Sequence, residues 1–345
     1  MHKLEVRPGV WMAYEDHWFG EPWLTPEPVV MIHGNAESSK AWNRWVPHLA
    51  GQYRVIRPDM PGFGASPEPQ GYGWTVGELA ADIGNFLNAL GIEKCHLIGA
   101  KYGGSACMKF ATQQPRRLLS LGLFGSPVRG SGTGNADLIR TKGVRQWAHE
   151  TMRARLGSKA SDAQLKWWAD ELMGKTSSKA AYSVSAARID MELEDQLSCI
   201  TAPTLIVAGR HDWICPPDFS EEIHRLIPGS KLEIYENSSH SIRADEPGRL
   251  IAAIRALNAD REIYALVISG DGEKFFSAGA DLNQFASGDK AAAREAARHD
   301  RGRHCPRGEG ICLVRETGPG GRLRRRRDPR RQRLPDRAVP QPERQ

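Results

Sequence analysis

Three side chains that could do chemistry, Lys101, Asp212 and His240, each stand shortly after an apolar run of the chain. A neutral lysine amine can attack a carbonyl or form a Schiff base. A histidine can act as a general base when a carboxylate holds one of its ring nitrogens. The three residues therefore indicate carbonyl chemistry, provided that the fold brings their segments to one site.

The apolar runs before these residues are typical of buried strands in a parallel sheet. Helical patterns lie between the runs, and the clearest begins at Thr75, which has capping-box spacing to Glu78. Strands that alternate with helices predict βαβ units and a doubly wound, mostly parallel sheet. Because ligands bind beyond the carboxyl ends of such strands, we expect the site there. The predicted strands are 29–32, 53–56, 95–98, 118–124, 204–208 and 231–235.

A specific combination of motifs follows these strands: His33-Gly34, the run from Asp59 to Gly64, the turn from Gly99 to Gly104, and then Asp212 and His240 in that order. This combination resembles the α/β-hydrolase superfamily over residues 10–257, and within it the small ester and lactone hydrolases. The resemblance implies an α/β-hydrolase fold for residues 1–257, a small-molecule substrate, no cofactor and no bound metal. It also implies that His33 and Asp59 shape their loops rather than react.

The resemblance assigns a role to each site residue. Asp212 would hold His240 in one tautomer, and His240 would act as the base. The residue after the nucleophile, Tyr102, would offer its backbone N–H to an oxyanion. A second N–H would come from Asn35, in the loop after the first buried strand.

Lys101 departs from the family pattern, because it occupies the position of the nucleophilic serine. A free lysine has a pKa of about 10.4, which burial and the positive end of a helix both lower. An acyl-lysine would be an amide and would resist the hydrolysis that turnover requires. A displaced nucleophile at Ser105 would point along the helix instead of off the turn.

Three interpretations of Lys101 therefore stay open. In the first, His240 and Asp212 activate water, and Lys101 adds positive charge beside the oxyanion. In the second, Lys101 forms a Schiff base with a keto substrate and acts as a carbon–carbon lyase or decarboxylase. In the third, the site is catalytically inactive and the pocket only binds its ligand.

The segment 128–198 interrupts the alternation of strands and helices, and it is rich in helical patterns. An insertion of this size after a central strand predicts a lid over the site. It carries Trp147, Trp167 and Trp168, which we expect to pack mainly in the core of the lid itself.

The part of the chain after the predicted domain has a different pattern. Residues 265–270 predict a strand, and the stretch from Phe275 to Leu282 resembles part of the enoyl-CoA hydratase (crotonase) family. We interpret 258–298 as a partial crotonase-like segment without the family's acid and base residues. The Arg/Pro/Gly-rich residues 299–345 predict a disordered tail, whose lack of lysine is typical of an out-of-frame sequence.

The net charge of +6 is unevenly distributed. Residues 298–345 hold 15 arginines and six acidic residues, so the rest of the chain has a net charge of −3. The body therefore gives no reason to expect a nucleic-acid partner, and only the basic tail would attract one. The sequence predicts neither a membrane span nor a signal peptide, and so a cytoplasmic location.

Overall fold

The computed structural model describes residues 1–130, 134–258, 265–269 and 310–314. Residues 1–130 and 134–258 contain eight strands: β1 (His2–Arg7), β2 (Val10–His17), β3 (Pro28–Ile32), β4 (Arg54–Pro58), β5 (Cys95–Ala100), β6 (Leu118–Phe124), β7 (Thr204–Gly209) and β8 (Lys231–Tyr235). They form one sheet in the order β1-β2-β4-β3-β5-β6-β7-β8. Strands β3 to β8 are parallel, and β1 and β2 add an antiparallel edge.

All six predicted strands are present, so the prediction of a mostly parallel sheet is confirmed. The apolar pattern of the sequence does not predict β1 and β2. Most residues of β1 are exposed or half-buried at the edge of the sheet, so this strand lacks the continuous apolar run that marks a central strand.

Helices lie between the strands, as the alternating pattern predicts. Helix α2 begins after Thr75, whose Oγ1 accepts from Glu78 N at 3.2 Å in the predicted capping box. The helices are α1 (Val46–Leu49), α2 (Val76–Ala89), α3 (Tyr102–Gln113), α4 (Gly134–Leu156), α5 (Asp162–Trp167), α6 (Ser178–Ala187), α7 (Pro217–Leu226), α8 (Ile242–Asp245) and α9 (Pro247–Asn258).

Both faces of the sheet are covered, which is why the central strands are apolar on both sides. On β5, Leu97 packs in one buried cluster with Phe86 of α2 and Phe110 of α3. Its neighbour Ile98 packs in a second cluster with Leu250 of α9. Since successive residues of a strand point to opposite faces, these two clusters are the two apolar layers of a doubly wound fold.

The insertion between β6 and β7 is helical, as predicted, and contains α4, α5 and α6. Helix α4 is interrupted at Gly143, where φ is +78°. Trp147 and Trp168 are buried in the lid's own apolar cluster, in agreement with their predicted packing role. Trp167 is 39% exposed and lies outside that cluster.

The chain divides into two compact units, Met1–Ala259 and Asp260–Gln345. In the second unit, β9 (Ala265–Ser269) pairs antiparallel with β10 (Gly310–Val314). The strand at β9 is as predicted, whereas β10 is a strand within the stretch predicted to be a disordered tail. The other residues of the crotonase-like segment and of the tail lie outside the described residues. No helix in the described ranges has the length and apolarity needed to cross a bilayer.

Candidate active site

Lys101 stands at a tight turn between β5 and α3. Its backbone has φ +56° and ψ −130°, a conformation that residues other than glycine rarely adopt. The turn leaves no room for a side chain at its inner face, because a Cβ on Gly103 would lie 2.2 Å from the His33 carbonyl oxygen. The Lys101 N–H donates to the Phe124 carbonyl oxygen at 2.9 Å and fixes the turn to the neighbouring strand.

The Lys101 amine is buried and held by two partners. Its Nζ donates to Glu37 Oε1 at 2.7 Å and to Ser241 Oγ at 3.1 Å. The Trp168 ring of the lid lies 5.8 Å from Nζ, within cation–π range. Burial lowers the pKa of Lys101 to about 8, although the Glu37 carboxylate opposes this shift. The amine is therefore mostly an ammonium at pH 7.

Glu37 connects Lys101 to a second cation. Its Oε2 accepts hydrogen bonds from the Arg243 guanidinium and, at 3.0 Å, from Gly34 N. Burial favours the protonated carboxyl, but Arg243 and Lys101 outweigh it and hold the pKa of Glu37 well below its usual value. The result is a buried carboxylate between two buried cations.

Asp212 and His240 form the predicted pair. His240 Nδ1 lies 2.9 Å from Asp212 Oδ2, and Asp212 Oδ1 also accepts from Ile214 N at 2.9 Å and Cys215 N at 2.8 Å. These contacts hold the pKa of Asp212 below its usual value against the effect of burial. Burial lowers the pKa of His240 to about 4, and the Lys101 charge adds to this against the opposing effect of Asp212. His240 is thus neutral at pH 7.

Lys101 and His240 line the same cavity beneath the lid. Tyr102 and Asn35 line it too, so the five residues predicted for the site, including Asp212 behind His240, are brought together. The cavity has a volume of about 40 Å³. A water molecule needs ~10–15 Å³ by this measure, so the space suits a few waters.

The two predicted oxyanion donors differ in their surroundings. Tyr102 is the first residue of α3, so its N–H has no acceptor within the helix. The Asn35 side chain reaches the lid instead, and its Nδ2 donates to Ala181 O at 3.0 Å and Ser185 Oγ at 2.9 Å.

The residues predicted to be structural are fully used in loop contacts. His33 Nε2 accepts from Met60 N at 2.9 Å, and burial lowers the pKa of His33. Asp59 accepts from Ser39 N at 2.6 Å and, within its own turn, from Ala65 N at 2.8 Å. Ser105 Oγ is buried and donates to the Pro127 carbonyl oxygen at 2.6 Å, as expected of a serine that is not a nucleophile.

Four site residues, Glu37, Arg243, Ser241 and Arg155, are absent from the sequence-based prediction. A lysine at a buried turn signals that it needs a carboxylate partner, but the local pattern does not say which one. Ser241 and Arg243 follow His240 by one and three residues, which offers a weak signal that this loop serves the site.

Asp212, Cys215 and His240 also offer possible metal-ligand atoms, which lie within 4.8 Å of one another. In the described structure, however, the Asp212 carboxylate already accepts from His240 and from two backbone amides. This arrangement orients an imidazole, and we assign the cluster to that role.

The chain matches the family model described as "alpha/beta hydrolase fold" over residues 27–247. A 2-hydroxy-6-oxo-2,4-heptadienoate hydrolase of Pseudomonas putida is 28% identical over 245 residues, covering 64% of this chain and 84% of the relative. A 2-hydroxymuconate semialdehyde hydrolase of a Pseudomonas species is 26% identical, covering 69% of this chain and 89% of the relative.

Solved structures share the architecture. A thermophilic esterase from Thermogutta terrifontis superimposes with a TM-score of 0.63 at 26% identity, covering 72% of this chain and 92% of the esterase. An esterase from Exiguobacterium antarcticum gives a TM-score of 0.68 at 24% identity, covering 74% of this chain and 98% of that one. The second similarity concerns the fold alone.

Proposed function

This chain belongs to the α/β-hydrolase fold family, and we propose that it hydrolyses a small ester, lactone or thioester by activating water directly. In this proposal Lys101 is a fixed positive charge and not the nucleophile. One observation carries the proposal: the buried Asp212–His240 pair adjoins the cavity that the Lys101 ammonium also lines.

His240 is the general base of the proposed reaction. Its Nδ1 is engaged by Asp212, so Nε2 is the nitrogen that remains for a water molecule. With a pKa of about 4, His240 is ready to accept a proton at neutral pH. The water attacks the carbonyl carbon, its proton passes to His240, and His240 returns the proton to the leaving oxygen or sulfur as the bond to it breaks.

Lys101 stabilises the negative charge that develops on the carbonyl oxygen. A preorganised charge in a buried site is worth more than in bulk water and needs no reorganisation. The backbone N–H groups of Tyr102 and Asn35 are the two further proposed donors. Glu37 keeps the ammonium protonated and in place, because it accepts the hydrogen bond that would otherwise be lost on burial.

The activities for which two relatives are named widen the substrate class. One is a hydrolase of a 2-hydroxy-6-oxo-dienoate and the other of a semialdehyde. Both compounds carry an unsaturated carbon chain with an oxo group. A ketone carbonyl next to a breakable carbon–carbon bond is therefore a second target for the same water attack.

A Schiff-base lyase is the alternative that a specific observation favours. The pKa of Lys101 is lowered to about 8, so a fraction of the amine is neutral near pH 7. A neutral amine condenses with a ketone, and the carbonyl oxygen leaves as water. The protonated imine then accepts the electron pair of the bond between its α carbon and the next carbon, and the departing fragment leaves as CO2 or an aldehyde. Protonation of the resulting enamine at carbon and hydrolysis of the imine release the product and free Lys101.

Turnover of a panel of small esters, lactones, thioesters and oxo acids tests these routes. The water route predicts activity that disappears in His240→Ala and survives, lowered by roughly 10²–10³-fold, in Lys101→Met. The Schiff-base route predicts that borohydride traps substrate on Lys101 and that Lys101→Met is inactive. No turnover with any compound, together with ligand-induced stabilisation, would overturn both routes in favour of a protein that only binds.

A further inference from the structure

Arg155, near the end of α4, is a buried cation with an unsatisfied donor. The residue is 4% exposed, and its guanidinium lies 4.4 Å from the centre of the Trp147 ring. Its Nε donates to Thr151 Oγ1 at 3.0 Å, whereas its Nη2 is buried and has no hydrogen-bond partner. A buried N–H group without an acceptor is costly. We therefore expect a ligand to provide a hydrogen-bond acceptor at this position.

The walls of the active-site cavity carry an excess of positive charge. Lys101, Arg155 and Arg188 all line the cavity, and none of its described lining residues is an aspartate or glutamate. Glu37 is not among these lining residues, and its carboxylate binds both Lys101 and Arg243. A cavity with this lining favours a negatively charged ligand.

We propose that Arg155 is a binding site for the carboxylate of an anionic substrate, an inference that rests on the proposed function and names its substrate class. The substrate would place its carboxylate against Nη2 of Arg155. Its reacting carbonyl would lie between Lys101 and His240, which line the same cavity.

The rest of the cavity wall favours a carboxylate on a short carbon chain. Trp147, Val184 and Ile214 contribute apolar surface to the cavity. Burial lowers the pKa of Arg155 to about 10, so its guanidinium stays charged at neutral pH. One charged donor and an apolar wall together match a molecule with one anionic end and an uncharged body.

The backbone of Arg155 is fixed independently of its side chain. Its carbonyl oxygen accepts from Ser241 N at 2.9 Å, in the residue next to His240. A substitution of the side chain keeps this bond, so the lid segment stays attached to the histidine loop. Arg153, on the same helix, supplies a matched control because it is exposed and pairs with Asp162 at the surface.

The test is calorimetric titration of the full chain with propionate and with its neutral isostere propionamide. We expect wild type to bind propionate and to bind propionamide more weakly. In Arg155→Met the dissociation constant for propionate should rise about tenfold or more, or ~1.4 kcal/mol. In Arg153→Met it should stay unchanged, and Arg155→Lys, which keeps the charge, should restore part of the affinity.

Equal binding of propionate by Arg155→Met and wild type would overturn the proposal, as would equal affinity of wild type for acid and amide. A wild type that binds neither compound would overturn it too. Thermal unfolding of each variant is measured alongside, so that a loss of fold is separated from a loss of affinity. Because binding is measured without turnover, the two proposals can fail separately. A protein that binds propionate through Arg155 but has no activity would contradict the hydrolase proposal alone. A protein that is active but does not bind propionate through Arg155 would contradict only this inference.

Discussion

The Nζ of Lys101 lies 2.7 Å from Oε1 of Glu37, and neither side chain is more than 7% exposed. The position that resembles a nucleophile elbow therefore holds one half of a buried ion pair. Removing one partner of such a pair is strongly destabilising, because the other charge stays buried and unpaired. Lys101 is therefore one partner of a buried ion pair, a role that a serine at this position could not have.

Glu37→Gln should destabilise the protein by about 3–5 kcal/mol, since Lys101 and Arg243 would both lose their carboxylate. Urea unfolding measures the change in the free energy of unfolding. The matched control is Glu236→Gln, which breaks the surface pair with Arg210 and should leave stability close to wild type. Similar losses in both variants would show that the buried pair contributes little.

The water route predicts a bell-shaped dependence of kcat/KM on pH. Activity should rise as His240 loses its proton near pH 4 and fall as Lys101 loses its proton near pH 8, because the route needs a neutral base and a charged ammonium. Lys101→Met should lack the alkaline decline. The Schiff-base route requires a neutral amine, so it predicts activity that rises through pH 8. That rise would contradict the water route.

Asp212→Asn should lower kcat by roughly 10²–10⁴-fold while the fold is kept, because an amide no longer selects the tautomer of His240. Steady-state kinetics measure the loss. His211→Ala is the control, since His211 is exposed in the same loop and does not line the active-site cavity. A comparable loss in the control would attribute the effect to the loop and not to the Asp212–His240 pair.

Gly103→Ala should destabilise the protein by roughly 2–5 kcal/mol, because the added Cβ would lie 2.2 Å from the His33 carbonyl oxygen. Gly51→Ala provides the control, since a Cβ there meets nothing within 4 Å. Thermal or urea unfolding of the two variants gives the comparison. A stable Gly103→Ala protein would mean that the turn at Lys101 is less tightly packed than described.

The local sequence pattern predicts the central strands and the capped helix α2, because each of these depends on apolar spacing and on a cap within a few residues. The turn at Lys101 and the roles of Asp212 and His240 follow instead from the resemblance to the α/β-hydrolase superfamily, whose motifs stand shortly after the predicted strands. The contacts that define the charge of Lys101 cannot be predicted from the local sequence. Glu37 and Arg243 are 64 and 206 positions from their respective partners, Lys101 and Glu37.

Arg155 illustrates a second limit of the sequence pattern. A lid arginine is most simply interpreted as a surface residue, and Arg153 two positions earlier is one. Only the packing of α4 over the cavity decides that Arg155 is buried with an unsatisfied donor. The edge strand β1 is missed for a related reason, because exposure at the sheet's edge removes its apolar signal. Strand β2 is paired on both sides, but only its first half is buried, so it also lacks a continuous apolar run.

The most direct test of the central claim is a single turnover of an ester substrate in ¹⁸O-labelled water. Mass spectrometry then gives the intact mass of the protein and the mass of the acid product. We expect one labelled oxygen to enter the acid product, no acylated protein to accumulate, and His240→Ala to abolish the reaction. A stable acyl adduct on Lys101, or an unchanged rate in His240→Ala, would contradict this claim.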